Sequence, residues 1–191
     1  MNVIEFEIEG TAPLMFDKEP EAFEDAKGPK NGKIGKNTPP VEQARAKLHR
    51  AKDANGKEVA VFPAHILHKA MMKVTTLAIG RTTRGMATIV KGGIRILPAM
   101  LILNPQEWTL DSRRPTAKAT GMRPATLPIK HRPRFDAWKL KGEIHYDDDR
   151  ISAQEVRKIL DCAGQYNGLG SWRIETCGPF GSFQVINWKE N

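Results

Sequence analysis

The chain has 191 residues, 40% of them apolar, and a formal net charge of +8 at pH 7. This length suits one domain that can bury a core without disulfide staples. Two cysteines are too few for a disulfide framework, and no apolar run is long enough to span a bilayer. These features exclude a disulfide-rich secreted module and an integral membrane protein, so we expect a soluble cytoplasmic protein.

The positive charge is concentrated in the middle of the chain. Residues 59–134 contain thirteen lysines and arginines but only two acidic residues, a balance of +11, and the remainder of the chain is net negative. Such asymmetry is typical of proteins that bind polyanions, since each basic side chain that neutralises a phosphate releases a counterion. A solvated basic surface is the alternative. A membrane surface fits less well, because no long amphipathic helix carries the basic residues.

The N-terminus predicts a strand, because Ile4, Phe6 and Ile8 alternate with glutamates. Residues 17–58 follow, with many Lys, Gly, Pro, Glu and Ala residues and few large apolar ones. A stretch of this kind buries too little surface to offset its ordering entropy. We therefore expect a long mobile insertion with one short helix near residues 41–51.

Residues 63–80 predict an amphipathic helix, because apolar side chains recur there at spacings of three and four. Pro63 suits the first helical turn, and Gly80 suits the end. The basic, glycine-rich segment 81–93 predicts a loop, and residues 94–103 predict a second strand.

Residues 104–134 have no clean hydrophobic period and contain several prolines and arginines. We expect a second long excursion, with a hairpin around residues 108–110 and 127–129. A long loop within a compact domain is usually functional or disordered. This one has the charge to hold phosphates.

The last quarter of the chain has the clearest pattern. Residues 138–146 alternate as a strand, and Ser152 and Glu155 match a capping box that opens a helix over residues 152–163. Gly164 is placed to end this helix. A glycine-rich loop over residues 168–181, with glycines at 168, 170, 178 and 181, leads to a final strand at 182–188. The predicted fold is therefore α+β and ferredoxin-like, in the order βαββαβ, with the helices on one face of an antiparallel sheet. We expect one domain over residues 1–191, with insertions at about 17–58 and 104–134.

The glycine-rich loop combines backbone amides with an aromatic and a basic side chain, Trp172 and Arg173. Stacking of a base on an aromatic ring contributes about 1–3 kcal/mol and tolerates any sequence. The loop is not a P-loop, because the Gly-Lys-Ser/Thr ending is missing. A tight crossover without any ligand is the alternative explanation for its glycines.

The sequence gives little support for a metal site or a catalytic site. His65 and His68 have a spacing that can share a metal, but no third ligand accompanies them. The aspartates at 147–149 fit a solvated turn before a helix. We therefore expect no metal, no cofactor and no catalytic residue.

Three segments are similar to the RAMP superfamily, the RNA-binding proteins of CRISPR systems: IEFEIEGTAPLMF, VFPAHILHKAM and GLGSWRIETCGPFGSFQV. The segments RPRFDAWKLKGEIHYD and ILDCAGQYNGLGSWR more closely resemble a group of phage-encoded RAMP-like proteins, which would act in the host cytoplasm. The resemblance implies a ferredoxin-like fold, RNA as a partner and head-to-tail assembly along a strand. RAMP nucleases use a histidine near the N-terminal end of the chain, and His49 is the nearest candidate here.

The combined interpretation is a non-catalytic protein that binds single-stranded RNA or DNA, self-associating along the strand. The residues expected to contact nucleic acid are Arg81, Arg84, Lys91, Arg113, Arg114, Lys118, Arg123, Lys130, Arg132, Arg134, Gly168, Gly170, Trp172 and Arg173. Two alternatives stay open. One is a metal-independent endoribonuclease, and the other is a phage protein that mimics a CRISPR subunit and binds a host protein complex.

Overall fold

The computed structural model describes residues 1–18, 38–80, 85–114 and 129–191. Its strands are β1 (Asn2–Gly10), β2 (Leu14–Met15), β3 (Arg50–Lys52), β4 (Glu58–Pro63), β5 (Ile94–Leu97), β6 (Met100–Ile102), β7 (Thr109–Arg113), β8 (Lys130–Phe135), β9 (Lys139–Tyr146) and β10 (Phe183–Glu190). Its helices are α1 (Pro40–Arg45), α2 (Ala64–Ile79), α3 (Met86–Gly93) and α4 (Ala153–Cys162). A π-helical turn, Ala163–Asn167, and a 3₁₀ turn, Ile174–Thr176, follow α4.

The central sheet has the strand order β10-β1-β9-β5, and every pair in it is antiparallel. Together with α2 and α4, these strands form the ferredoxin-like βαββαβ arrangement, so the predicted fold class is confirmed. Alternation explains the layers, because Ile4, Phe6 and Ile8 of β1 all point into one core. The helices complete that core with Leu67 and Val156 among their buried side chains.

Two smaller sheets extend this centre, with the orders β2-β8-β7 and β3-β4-β6. The first holds the end of the N-terminal segment against the hairpin of β7 and β8. The second continues from β4, which leads directly into α2.

Three local expectations were wrong. Residues 86–93 form α3 instead of a loop, because Val90 is fully buried and anchors the segment. The predicted strand 94–103 is broken at Pro98, and its second part pairs with β4. In the expected insertion, the short helix predicted near 41–51 is present as α1, but the β3–β4 hairpin was not predicted; Ala44 and Leu48 supply apolar anchors there. Residues 19–37 of that insertion lie outside the described part of the chain.

Gly164 does not end a helix as predicted. The chain continues from α4 through the π-helical turn, and Gly168, with φ 68°, follows as the cap. A Cβ atom at Gly164 would overlap the carbonyl oxygen of Phe183 in β10. The glycine is therefore needed for close approach of the helix end to the sheet.

Within the described residues, no helix is both long and apolar enough to cross a membrane.

We predict that Gly164→Ala lowers the free energy of unfolding by about 1–3 kcal/mol, because the added methyl group overpacks a contact with main chain. Urea denaturation monitored by circular dichroism would measure the change. Gly92→Ala is the matched control, since nothing lies within 4 Å of a Cβ atom there. In a helix the control should be neutral or stabilising by up to about 1 kcal/mol. Equal stability of Gly164→Ala and the native chain would contradict the proposed packing role.

Candidate functional site

The β7–β8 hairpin has one strongly basic face. Its register places Asp111 opposite Arg132 and Arg113 opposite Lys130, while Thr109 lies opposite Arg134. Directly paired residues of antiparallel strands share a face, and the side chains two residues away share it too. A hairpin is present, with β7 at Thr109–Arg113 and β8 at Lys130–Phe135. The first predicted strand, at 108–110, overlaps β7, whereas β8 begins after the second predicted strand at 127–129, of which residues 127 and 128 lie outside the described part of the chain.

Arg132 is the buried centre of this face, with a side chain only 3% exposed. Its Nη2 atom donates a hydrogen bond of 2.8 Å to Oδ2 of Asp17, just after β2. Its Nε and Nη1 atoms are buried and have no hydrogen-bond partner among the described residues. A buried charge without its partner is strongly unfavourable, so the pair fixes β8 against the N-terminal segment.

Two lysines also lie close to the carboxylate of Asp17. Nζ of Lys47 lies 3.0 Å from Oδ1, and Nζ of Lys130 lies 3.7 Å from Oδ2. Burial raises the pKa of Asp17, but the hydrogen bonds from Arg132 and Lys47 outweigh it and hold the pKa below its ordinary value. One carboxylate thus contacts three basic side chains, two from β8 and one from the segment just after α1.

The hairpin contacts the glycine-rich loop through cation–π interactions. The guanidinium carbon of Arg113 lies 5.1 Å from the ring centre of Phe180 and 5.7 Å from that of Trp172. The guanidinium carbon of Arg132 also lies 5.7 Å from the Trp172 ring centre. Arginine over an aromatic face is attracted by the ring quadrupole. The predicted basic excursion and the predicted aromatic loop therefore form one surface.

The glycines of the loop make close packing possible. Ser171 donates its amide to the carbonyl oxygen of Met15 at 2.7 Å, and Gly181 donates to that of Pro13 at 2.9 Å. A Cβ atom at Gly170, where φ is 75°, would overlap the Met15 oxygen. The loop thus packs directly on β2, which is the structural explanation that the sequence left open.

The amide of Gly168 was expected to approach a nucleic-acid backbone. It already donates a hydrogen bond of 2.8 Å to the carbonyl oxygen of Ala163, and Gly168 is buried. The expected contact between this amide and a nucleic-acid backbone is therefore corrected, because the Gly168 N–H already donates within the protein.

Trp172 has an unusual backbone, with φ 53°. This left-handed conformation is rare for a bulky side chain and persists only when its surroundings enforce it. Here the amide of Phe180 donates to the Trp172 carbonyl oxygen at 3.3 Å. The conformation holds the indole, which is partly exposed, beside the hairpin arginines.

Arg173 is neutralised within the loop, since its Nε donates to Oε2 of Glu175 at 2.8 Å. Glu175 also pairs with Lys73 of α2. The hydrogen bond from Lys73 is the main reason that the pKa of Glu175 lies below its ordinary value. The predicted contact of Arg173 with a base or sugar would therefore compete with an internal ion pair.

The other arginines of the hairpin are partly compensated as well. Asp111, whose side chain is 4% exposed, accepts from Arg113 at 2.8 Å and from Arg134 at 3.5 Å. Arg134 also pairs with Asp136 at 2.8 Å, and this hydrogen bond raises the pKa of Arg134. Lys130 is 45% exposed, so its charge faces solvent despite the longer contact with Asp17.

The structure places the expected contact residues in three groups. Residues gathered at the hairpin and loop are Arg113, Lys130, Arg132, Arg134, Gly168, Gly170, Trp172 and Arg173. Arg114 is exposed and directly follows β7. Lys91 is an exposed residue of α3 and lines a different groove. Residues outside the described part of the chain are Arg81, Arg84, Lys118 and Arg123.

Sequence reasoning missed the acidic partners, Asp17 and Asp111, and the contribution of Lys47. No local pattern connects Asp17 with Arg132, which are 115 positions apart. The alternation of Lys130, Arg132 and Arg134 is a signal in the sequence from which a strand with one basic face could have been predicted.

The sheet face opposite α2 and α4 carries balanced charges. Glu5 pairs with Lys189 at 3.6 Å, and Glu9 pairs with Lys139 at 3.0 Å. Among the described residues on this face there is no phenylalanine, tyrosine or tryptophan. The face therefore lacks the aromatic platform on which some sheets stack RNA bases.

The histidines have structural neighbours. His68 donates from Nε2 to the carbonyl oxygen of Val90 at 2.9 Å. His49 packs edge-on against Phe16, at 5.6 Å between ring centres, and burial lowers the pKa of His49. In the part of the chain that the structure describes, no group of three or more His, Cys, Asp or Glu side chains is arranged to hold a metal ion.

No family model matches the chain, and no curated protein matches it. Among solved structures, the chain is similar to one from a cryo-EM structure of the Type III-B Cmr-beta bound to cognate target RNA. The TM-score is 0.60 at 10% sequence identity, over 99% of this chain and 60% of that chain. The present chain thus spans less than two thirds of its neighbour's length. At this identity the similarity shows the fold alone, and that fold agrees with the one expected from the sequence motifs. A phage origin gains no support.

We predict that Arg132→Ala lowers the free energy of unfolding by at least about 2 kcal/mol, because it leaves Asp17 with weaker partners and removes an interaction with Trp172. Urea denaturation would measure the change. Arg114→Ala, at an exposed position just after β7, is the matched control and should change stability by less than about 0.5 kcal/mol. Equal effects of the two substitutions would refute a structural role for Arg132.

We predict that stability falls on acidification as Asp17 and Glu175 become protonated. Both folded-state pKa values are depressed, so the stabilisation is complete above the unfolded carboxylate pKa of about 4 and disappears as the pH drops through the folded values. Urea midpoints between about pH 6 and pH 2.5 would show this decrease. Asp17→Asn should be less stable than the native chain at about pH 6, and the difference should shrink below about pH 4. Asp149→Asn, in an exposed turn, is the control. A constant difference at all pH values would count against Asp17.

Proposed function

We propose that this chain binds single-stranded RNA through the surface formed by the β7–β8 hairpin and the glycine-rich loop, without catalysing a reaction. Single-stranded DNA is the alternative polymer. The observation that carries the proposal is that exposed basic side chains and a partly exposed tryptophan lie on one surface. Phosphate contacts and base stacking are the two elements of sequence-tolerant recognition of single strands.

The fold comparison favours RNA over DNA, because the neighbouring structure contains RNA. The balanced, non-aromatic sheet face argues for the hairpin and loop as the binding surface. The net charge of +8 supports affinity for a polyanion in general.

The residues have different roles in this proposal. Arg113, Arg114, Lys130 and Arg134 contact phosphates, because their side chains reach solvent at the hairpin. Trp172 stacks with a base. Arg132 is a positioning residue, because it is buried and holds the hairpin against Asp17 and Trp172.

Assembly along the strand belongs to the same proposal. Head-to-tail oligomers would let a unit of this size cover an extended RNA, and several copies would then bind one oligonucleotide. Light scattering after gel filtration tests this part, and a monomer with and without long RNA would refute it.

A metal-independent endoribonuclease is the second candidate. His49 would be its general base, because burial lowers the pKa of the His49 imidazole. An imidazole that is neutral at about pH 7 can accept a proton from a 2′-hydroxyl group. Cleavage of RNA in EDTA that His49→Ala abolishes would establish this activity. Intact RNA after incubation with the native chain would exclude it for that substrate.

We predict salt-dependent binding of single-stranded RNA, measured by fluorescence anisotropy with labelled single strands and duplexes at two salt concentrations. Arg114→Ala/Lys130→Ala should weaken binding about tenfold and reduce the salt slope by about 0.7 for each phosphate that is no longer neutralised. Lys141→Ala/Lys158→Ala removes the same positive charge from exposed positions on β9 and α4, and should bind like the native chain.

Two results would overturn this proposal. One is an equal decrease of affinity in the two double variants, which would mean that only total charge matters. The other is no binding of any strand at low salt, which would favour a host protein complex as the partner. Arg132 is unsuitable for this test, because its substitution is expected to destabilise the fold.

A further inference from the structure

The carboxylate of Glu175 bridges two cations, one from α2 and one from the glycine-rich loop. Nζ of Lys73 in α2 pairs with Oε1 at 2.5 Å. Nε and Nη2 of Arg173 both donate to Oε2, at 2.8 and 2.5 Å. Lys73 and Glu175 are 102 positions apart, so this one side chain joins the helix to the loop.

This cluster differs from the ion pair of Asp17 and Arg132, because all three of its side chains reach solvent. The exposed fractions are 38% for Lys73, 35% for Glu175 and 30% for Arg173. An ion pair with this exposure contributes little to stability, since water screens its charges. The contacts with Glu175 can therefore break and re-form without unfolding the loop.

Arg173 keeps a second anchor when its contact with Glu175 breaks. Its Nη1 atom donates a hydrogen bond of 3.3 Å to the carbonyl oxygen of Gly170. Arg173 also directly follows Trp172, the residue proposed to stack with a base. The guanidinium group is thus held in the loop close to the proposed strand.

The three groups have the chemistry of a phosphate site in which a carboxylate stands in place of the phosphate. The phosphodiester of a nucleic-acid strand carries one negative charge and two free oxygens, as a carboxylate does. An arginine fork donates two hydrogen bonds to such an anion, and a lysine adds a point charge. Lys73 and Arg173 can therefore offer a phosphate the same donors that they offer to Glu175.

We propose that Lys73 and Arg173 form a phosphate site for the single strand, and that Glu175 occupies this site in the free protein as an internal competitor. The site rests on the proposed function, because a strand that stacks on Trp172 brings its phosphate to Arg173. When the phosphate arrives, the exposed side chain of Glu175 turns to solvent. Lys73 thereby becomes a contact residue, although the sequence did not predict it as one.

The internal competitor makes the phosphate site selective for polymers. A free phosphate ion has to displace a carboxylate that is tethered beside the two cations and has a high effective concentration there. A strand held by Trp172 and the hairpin is tethered too, so its phosphate competes on equal terms. Isolated anions are therefore excluded more strongly than strands.

Fluorescence anisotropy with labelled single-stranded RNA at two salt concentrations tests the proposal. Glu175→Gln keeps the size of the side chain and removes its charge, so it should bind RNA about three- to tenfold more tightly than the native chain. The salt slope should become steeper by about 0.7, which corresponds to one additional neutralised phosphate.

A double-mutant cycle separates the phosphate site from a general effect of charge. Lys73→Ala alone should change the affinity by less than about twofold, because Glu175 already neutralises this lysine. Lys73→Ala/Glu175→Gln should lose most of the gain of Glu175→Gln, since the lysine is then free to contact the phosphate. An equal effect of Lys73→Ala in the two backgrounds would overturn the proposal.

Asp161→Asn is the matched control, because it also removes a carboxylate that pairs with an arginine, Arg157 of α4, at 3.0 Å. That arginine lies over the ring of Trp188 in β10 and makes no contact with the loop. The control should bind RNA like the native chain. Glu175, Lys73 and Asp161 are exposed, so we expect all variants to fold, and a thermal melt of each checks this.

The results distinguish the phosphate site from the proposed function. RNA binding that is equal in the native chain and Glu175→Gln overturns the phosphate site and leaves strand binding intact. Binding by Glu175→Gln but not by the native chain supports the phosphate site, with the competitor strong enough to block the strand. No binding by either chain at low salt overturns the phosphate site together with the proposed function.

Discussion

The ion pair between Asp17 and the buried guanidinium of Arg132 is the contact on which the candidate surface depends. It joins β8 to the end of β2, although the two residues are 115 positions apart. The glycine-rich loop is bonded to the same N-terminal segment at Pro13 and Met15. If the hairpin moved away, the ion pair between Asp17 and Arg132 would break. Each charge would then need a new partner, or a buried charge would stay unpaired. The position of Trp172 beside the hairpin follows from these two attachments.

The basic residues of the candidate surface are of two kinds: some form internal ion pairs, and others keep their charge exposed to solvent. Arg132 stabilises the arrangement, and Arg173 is held by Glu175, so neither offers its full charge to a ligand. Lys130 keeps a large exposed fraction, and Arg114 is exposed at the end of β7. The functional charge of the surface is therefore smaller and more localised than the excess of lysines and arginines in the sequence suggests.

Hydrophobic periodicity was a reliable guide where one side of an element is apolar. The alternation in β1 and the three-four spacing in α2 each bury an apolar face, so the local pattern and the tertiary structure agree. Periodicity failed at the hairpin, because its inward face carries Asp111 and Arg132 instead of apolar side chains. It also failed at α3, where glycines at both ends obscured a short helix anchored by Val90.

The sequence by itself determined the order of the strands and helices in the ferredoxin-like core, the capping box at Ser152 and the location of the basic and glycine-rich segments. These features depend on interactions between residues close in the chain or on simple alternation. Only the tertiary structure decided which arginines are neutralised and that Trp172 meets the hairpin. It also decided that Lys91 lies in α3, apart from the hairpin and the loop. The physical reason is that Coulomb and cation–π interactions depend on distance in space, which no spacing along the chain records.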